Sequence, residues 1–584
     1  MSNRAVHTQA SSGRMAWSLL RREPVAYAIA WVNWVAFHLV PIPVGLLLKY
    51  VLDHIGSDSA GGQPVWVVLV VLGGLEVGRW LELLFSAVQW HGCWVAWHTI
   101  PRLNLLGSLV GDPGPAAHRL PGSPGEAVSR FRDDTMDLAM VLDVWLDISG
   151  VAIASASAVA IMLRIDARVT LVVVIPVIAV LWLCHWLTPR LRAWRRQARE
   201  ATAAVTGFIG DTFGSISAIK AAGAEPRVQE RFEALGSLRA RAARRDEVGT
   251  QLIQSLSGAT GNLGIGVALL LVAPAIRRGD FTIGDLGLFT TYITVLATLP
   301  RWAGRVGAYH RQADVSVERM AELLPAPEAP RIVAPVPMRL RRGPGAFPLV
   351  SPGQPGARRD GDRLDRLQLT DLRVSYPGDG GIHGIDLELH RGTFTAVTGP
   401  VGSGKSTLLR GLLGLIPVDG GTVRWNGVDV PERSRVFVPP RVAYLPQLPR
   451  LFSEPLAATI LLGVEGSGLS AALRLACLEE DVAEMPDGLA TVVGPKGVRL
   501  SGGQIQRAAA ARAFVRRPEL LVVDDLSSAL DVETEARLWD RVFADTAGAT
   551  TVLVVTHRPG VLERADQVIT LEAGRVVVAD RVVG

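Results

Sequence analysis

Two carboxylates in succession, Asp524 and Asp525, close an apolar run in LLVVDDLSSALD, Leu520 to Asp531. The end of a strand is where a metal ion is held and a water molecule aimed at phosphorus. Upstream, TFTAVT runs straight into GPVGSGKST and then into the apolar LLRGLLGLI. Gly399, Gly402 and Gly404 free this loop, with Ser403 among them, to wrap backbone N–H groups around phosphate oxygens, and the following helix adds its positive end. Lys405 has the length to reach β and γ phosphates, Ser406 has the hydroxyl to ligate Mg²⁺, and Thr407 completes the loop pattern. A strand before the loop and a helix after it are the elements this chemistry requires.

Further pieces follow in a fixed order: Tyr376 in VSYPG, 23 residues before Gly399; Gln447 in YLPQLPRLF; LSGGQ, Leu500 to Gln504; SALD, ending at Asp531; and His557 in VVTHRPG. Singly, each has an ordinary structural reading as a strand aromatic, a turn residue or a satisfied polar side chain. Their joint order and spacing do not. With these motifs the chain resembles the ATP-binding cassette (ABC) family, and with an apolar half ahead of the cassette it resembles a half-size ABC exporter. The segments TGFIGDTFGSISAIKAAGAE and GDFTIGDLGLFTTYI also look like parts of an exporter membrane domain, so the resemblance covers nearly the whole chain. It implies ATP and Mg²⁺ as cofactors, with Tyr376 stacking on adenine and Ser406, Gln447 and Asp524 around the metal. It implies that Ser501, Gly502, Gly503 and Gln504 bind the γ-phosphate of a nucleotide held by the opposite subunit. Asp531 falls in the D-loop, His557 is the switch histidine, and Asp525 stands where the family carries the catalytic glutamate.

That last position departs from the pattern. Aspartate is shorter than glutamate by one methylene, about 1.5 Å, and a misplacement of about 1 Å can cost on the order of a hundredfold in rate. Binding is expected to survive and turnover in this chain's own site to be slow. In the family two cassettes sandwich two nucleotides. A homodimer would therefore hold two slow sites, whereas a heterodimer with a glutamate-bearing partner would hold one competent site; the heterodimer is the expectation, with the homodimer open. A second departure is VVGPKG, Val492 to Gly497, where exporters carry a glutamate-containing loop that meets the partner's membrane domain.

The rest of the 584 residues must position this chemistry. The chain is too long for one core, its composition is 49% hydrophobic and its mean hydropathy is +0.28. The apolar runs crowd the first 300 residues, whereas the last 220 alternate apolar and charged segments as a soluble α/β domain does. A spanning helix needs about 20 apolar residues. Six runs qualify, roughly 25 to 48, 65 to 88, 139 to 163, 167 to 188, 252 to 276 and 283 to 304. The loop DHIGSDSAGGQP after the first has no basic residue, while the long loops after the second and fourth are rich in arginine. The positive-inside bias places those loops, the cassette and both termini in the cytoplasm of a multi-pass cell (plasma) membrane protein.

Glu76, Arg79, Glu82, Asp143 and Asp147 fall at membrane depth, where charges face a bundle interior or a water-filled path. Spacings of three and four residues let Arg79 neutralise a neighbour, and a structural pair or a lining for a polar or cationic substrate both fit. Thirteen of the fifteen tryptophans precede residue 303, and interfacial anchoring is the expectation for most. Three scattered cysteines suggest neither a disulfide frame nor a zinc site, and His91, Cys93 and His98 read as interface residues, not metal ligands. A net charge of +5 fits orientation in a bilayer and not nucleic acid binding.

The expected architecture is thus a membrane α-helical bundle of six transmembrane helices, like a type IV ABC exporter, over residues 1–323. A Pro/Gly/Arg-rich linker at 324–362 leads to an α/β P-loop cassette, RecA-like with a helical subdomain, at 363–584. The resemblance implies an exporter half that works by alternating access on an amphipathic compound, peptide or lipid. Inward transport and a non-transporting ATP-binding regulatory subunit are the alternatives. Neither the substrate nor the partner chain is named by these residues.

Overall fold

The computed structural model describes residues 11–22, 24–55, 64–111, 114, 120, 124–278, 281–325, 328–336, 363–376, 380–464, 466–495, 497–526, 530–546 and 550–581. The chain divides into two units, Met1–Leu105 with Ser123–Gly345, and Leu106–Gly122 with Ala346–Gly584.

The first unit is helical. Its helices are, in order, α1 (Ser12–Leu20), α2 (Pro24–Leu39), α3 (Pro41–His54), α4 (Val65–Gly111, of which the residues after Leu105 are counted with the second unit), α5 (Thr135–Ile165), α6 (Ala167–Gly214), α7 (Glu225–Arg278), α8 (Ile283–Leu296) and α9 (Leu299–Ala321). Among the described residues three stretches, Pro24–His54, Gly125–Ile165 and Ile283–Ala321, are long and apolar enough to cross a membrane. The other three expected runs lie within α4, α6 and α7. The first expected span is divided at Val40, because Pro41 has no N–H to give and its ring crowds the preceding turn. Helix α6 has 48 residues and α7 has 54, so at about 1.5 Å per residue each is about 70 to 80 Å long, far more than the roughly 30 Å of hydrocarbon. Much of each helix therefore lies beyond the bilayer core. The two pack closely at Gly249, where a Cβ would come within 2.7 Å of Leu191.

The start of α8 is fixed by a capping box between Thr282 and Asp285, and Lys49 of α3 reaches Asp285 at 2.5 Å and Asp53 at 3.2 Å. Leu288, Phe289, Tyr292 and Ile293 of α8 pack with Ala158 and Met162 of α5 into one buried core.

The charges at membrane depth find partners. Arg79 sits 3.8 Å from Glu76 and 4.7 Å over the Phe37 ring, so the expected neutralisation is made along one face. Glu82 accepts a hydrogen bond from the Ser86 hydroxyl at 2.5 Å. Asp143 accepts one from Trp90 Nε1 at 2.8 Å and Asp147 one from Trp34 Nε1 at 2.6 Å, with His38 Nε2 3.3 Å away. These two tryptophans are donors to acids on a neighbouring helix, a role different from the interfacial anchoring expected of most. His98 turns Nδ1 to the Trp94 carbonyl and Cys93 is buried.

Part of the proline-rich stretch is packed. Ala329–Val333 forms a 3₁₀ turn with Ile332 and Val333 buried, and Asn104 of α4 donates to the carbonyls of Ile332 and Ala334. Residues 326–327 and 337–362 lie outside the described residues.

The second unit is built on two sheets. Strands β1 (Arg366–Ser375), β2 (Gly381–His390), β3 (Phe394–Thr398), β4 (Gly420–Trp425), β5 (Val428–Asp429), β6 (Val442–Leu445), β7 (Leu520–Asp524), β8 (Thr551–Val555), β9 (Gln567–Glu572) and β10 (Arg575–Arg581) follow one another. An antiparallel sheet has the order β2-β1-β4-β5 and a six-stranded sheet the order β10-β9-β3-β8-β7-β6. In the latter only β10 runs antiparallel to its neighbour. Strands β7 and β8 are buried at every position, as expected where helices or a second sheet cover both faces of a parallel sheet. Helix α10 (Lys405–Leu412) follows β3, and α15 (Val532–Thr546) lies between β7 and β8. Between β6 and β7 a helical subdomain contains α11 (Leu456–Leu461), α12 (Leu469–Leu475), α13 (Glu479–Glu484) and α14 (Gly502–Phe514).

Candidate functional site

The parallel strands deliver their C-terminal ends to one edge of the sheet, where the chemistry gathers. Strand β3 ends at Thr398 and the chain turns through Gly399 to Gly404 into α10. Two positions demand glycine. Gly399 has φ 136° and a Cβ there would lie 2.0 Å from the Leu571 carbonyl oxygen; Gly404 has φ 99° and its Cβ would lie 2.8 Å from the Gly381 oxygen. A side chain at either position would meet backbone, and L residues rarely adopt such φ values. Ser403 is buried beneath the loop, and Gly402 (φ 85°) completes the left-handed turns.

Lys405 folds over this loop, donating from Nζ to the carbonyl oxygens of Gly399 at 2.7 Å and Pro400 at 2.8 Å. Burial pulls its ammonium below the ordinary lysine value, against the charges of Asp524 and Asp525. Ser406 Oγ donates to Asp524 Oδ1 at 2.9 Å, and Tyr444 OH donates to Asp524 Oδ2 at 3.3 Å. Asp524 is 1% exposed. Its carboxyl is raised above the usual range by burial, with the adjacent Asp525 adding to the effect and the Ser406 hydrogen bond, Arg410 and Tyr444 opposing it. Burial and the Asp524 charge push the Tyr444 phenol up to about 12. Burial alone would lower Arg410, but its hydrogen bond with Tyr444 and the charge of Asp524 carry it above its ordinary value.

Two hard oxygen donors, Ser406 and Asp524, thus meet beside a cradle of backbone N–H groups, which fits a Mg²⁺-bound triphosphate. Asp525 follows in the left-handed region at φ 52°. Its N–H is held by the Val555 carbonyl at 3.1 Å and its carboxylate accepts from Gln447 Nε2 at 3.3 Å. Thr407 is half-buried in the first turn of α10. Tyr376, 38% exposed, directly follows β1, and its N–H closes a turn onto the Gly380 carbonyl. His557 is exposed, two residues beyond the end of β8, and Thr556 ties that loop to Val397.

Ser501 to Gln504 are engaged elsewhere. Ser501 is the N-cap of α14 in a capping box with Gln504, and Gln504 Nε2 also donates to Asp481 at 2.9 Å. Asp531 caps α15 by accepting the Thr534 N–H at 2.9 Å, which lowers its carboxyl. The segment VVGPKG makes a tight turn at Gly494, whose Cβ would lie 2.6 Å from the Phe452 oxygen; Lys496 lies outside the described residues. Two site residues escape motif reading. Tyr444 lies three residues before Gln447, and Arg410 lies four after Ser406 on the same face of α10. Their roles come from the approach of β6 and α10 to Asp524.

Fold and site together define a membrane-anchored P-loop cassette protein, and comparison with known proteins agrees. The family described as ABC transporter transmembrane region matches residues 38–299, and the family described as ABC transporter matches residues 382–528. The chain belongs to the ABC transporters and has the type IV exporter fold, a helical transmembrane domain followed by a P-loop cassette. It is 30% identical over 416 residues to the ATP-dependent lipid A-core flippase of Burkholderia thailandensis, covering 70% of this chain and 66% of that protein, just under two thirds of its length. It is 27% identical to the flippase of the same name from Chromobacterium violaceum, over 96% of this chain and 91% of the relative. It is also 27% identical to the ABC transporter aclQ of Aspergillus oryzae, over 95% of this chain and 67% of that one. A solved bacterial Atm1-family ABC exporter with ATP bound shares the fold, with a TM-score of 0.72, 22% identity and coverage of 96% of this chain and 95% of that one.

Proposed function

We propose that the chain is one half of a dimeric, ATP-driven exporter in the cell membrane, with its cassette and both termini in the cytoplasm. The observation that carries the reading is the meeting of Ser406 and Asp524 at 2.9 Å beneath the Gly399–Gly404 loop, with Lys405 poised on that loop's carbonyls. In this reading Lys405 exchanges the Gly399 and Pro400 oxygens for phosphate oxygens, Ser406, Asp524 and Gln447 hold Mg²⁺, and Tyr376 packs on adenine. Bound Mg²⁺ supplies charge neutralisation at the phosphates. Asp525 orients water with Gln447 beside it and His557 two residues past β8, the strand that pairs with β7, but its short arm leaves this site slow. The intact Ser501–Gln504 helix start serves the partner's nucleotide. A heterodimer with a glutamate-bearing second half follows from that asymmetry, with the membrane domain at 1–323 joined to the cassette at 363–584. The names of the flippase relatives favour an amphipathic, lipid-like cargo.

The test is Mg²⁺-dependent ATP turnover of this chain alone in lipid nanodiscs, with Lys405→Ala as blank. ATP binding with turnover at the blank supports a holding site that needs a partner. Turnover of several per second would overturn the slow-site reading and make a homodimer sufficient.

A further inference from the structure

The opposite edge of the cassette sheet, where β3, β7 and β8 begin, carries a cavity of about 420 Å³. This is far from the usual nucleotide edge of such sheets, which is the C-terminal one. Its floor is apolar, formed by Leu364, Ala472, Leu475, Phe514 and Leu521. Three arginines from three separate chain segments line it: Arg363 ahead of β1, Arg391 in the β2–β3 turn and Arg517 between α14 and β7. Among the described residues no hydrogen bond or ion pair engages any of the three guanidinium groups. Arg517 stands in the left-handed region at φ 45°, a helix-ending position where glycine or asparagine is the low-cost choice. The acids among the lining residues are Glu519, which is buried and turned onto the Leu364 N–H, and Asp545 at the rim. Three cations against two carboxylates leave the mouth positive.

We propose that this cavity binds a small organic phosphate, its apolar body on the Leu364–Phe514 floor and its phosphate among Arg363, Arg391 and Arg517. A guanidinium presents planar paired donors, and three of them offer more donors than one carboxylate can accept, which matches a phosphate dianion. The volume suits a ligand of metabolite size.

The experiment titrates 1-naphthyl phosphate into the full chain in phosphatidylcholine nanodiscs, with saturating ATP and Mg²⁺ present to fill the nucleotide site. Saturable binding is expected, weakened about tenfold or more in the Arg391→Gln, Arg517→Gln double variant, since two charge-assisted hydrogen-bonding groups are lost. Ala471→Trp, which fills the cavity from a partly exposed position on α12, is expected to abolish binding while ATP affinity stays unchanged. Binding that survives both changes, that is absent in the unaltered chain, or that ATP displaces would overturn the assignment.

Discussion

Replacing Asp525 by glutamate tests the catalytic reading most directly. The Asp525 carboxylate is tethered by Gln447 Nε2 at 3.3 Å, and its backbone is pinned through the Val555 carbonyl. The chain therefore cannot slide forward to make up for a short side chain. Adding one methylene advances the carboxylate by about 1.5 Å. If the aspartate is misplaced by about 1 Å, correcting it is worth on the order of a hundredfold in turnover, or about 2.7 kcal/mol of barrier. A cost opposes this gain. At φ 52° aspartate is among the side chains that tolerate the left-handed region, and glutamate there loses about 1 kcal/mol of cassette stability. The expectation is turnover raised by about ten to a hundredfold, ATP affinity unchanged and a slightly lower melting temperature. The assay is phosphate release at saturating ATP in nanodiscs, with Lys405→Ala subtracted. Turnover within twofold of the unaltered chain, at unchanged affinity, would refute the argument from reach.

Three further outcomes follow from the same geometry. Because the Asp524 carboxyl is raised in the folded cassette, between the ordinary and the raised values the folded state holds more of that proton than the unfolded chain does. Stability therefore falls as pH rises from the ordinary carboxylate range through the raised value, and stays lower above it. Asp524→Asn should raise the melting temperature of the nucleotide-free chain at pH 7.5 by a few degrees while removing the Mg²⁺-ATP stabilisation, and calorimetry showing a lower nucleotide-free transition would contradict this. Gly399→Ala places a methyl 2.0 Å from the Leu571 oxygen at φ 136°, and should cost about 2 kcal/mol or more, seen as a lowered cassette transition; an unchanged transition would mean the loop relaxes freely. Ser501→Ala removes the N-cap of α14 and should cost about 1 kcal/mol, with Ser501→Asp restoring most of it, and equal loss in both would show that the cap is not the source.

The parts of the site legible in sequence are those fixed by local backbone geometry. Gly399 and Gly404 announce a phosphate cradle because only glycine serves at those φ values, and LLVVD announces a doubly covered strand because all five of its positions are buried. What escaped depends on tertiary approach. Nothing local marks Tyr444 as a partner of Asp524, or Trp34 and Trp90 as donors to Asp147 and Asp143. Such a tryptophan has the same composition and flanks as an interfacial anchor. The expected run 25 to 48 passes over the break at Val40 before Pro41, and Pro101 sits inside α4 without ending it, so proline alone does not decide a boundary. RIV at 331–333 falls in the expected linker because the Pro/Gly/Arg-dense stretch around it has too little apolar surface to offset its ordering entropy. Its burial is compatible with backbone satisfaction because the Asn104 side chain donates to the carbonyls of Ile332 and Ala334, which docking would otherwise strand.

The asymmetry proposed for the nucleotide sites has a physical basis in how differently the two halves of the chemistry are held. Ser501 uses its oxygen to accept the Gln504 N–H, yet its hydroxyl proton remains free to donate. Gly502 and Gly503 supply first-turn N–H groups with no intrahelical partner at the positive end of a 13-residue helix. That face needs nothing from its own nucleotide site to receive a phosphate, and the Gln504–Asp481 and Arg507–Asp481 contacts brace it from behind. The water-directing face has no such reserve, because its efficiency rests on the reach of one side chain, Asp525, from a pinned backbone. Under the proposal, a change at Asp525, in either direction, alters the rate of one site only. A change at Ser501 weakens the other site, and it does so even where the partner's own catalytic residues are complete.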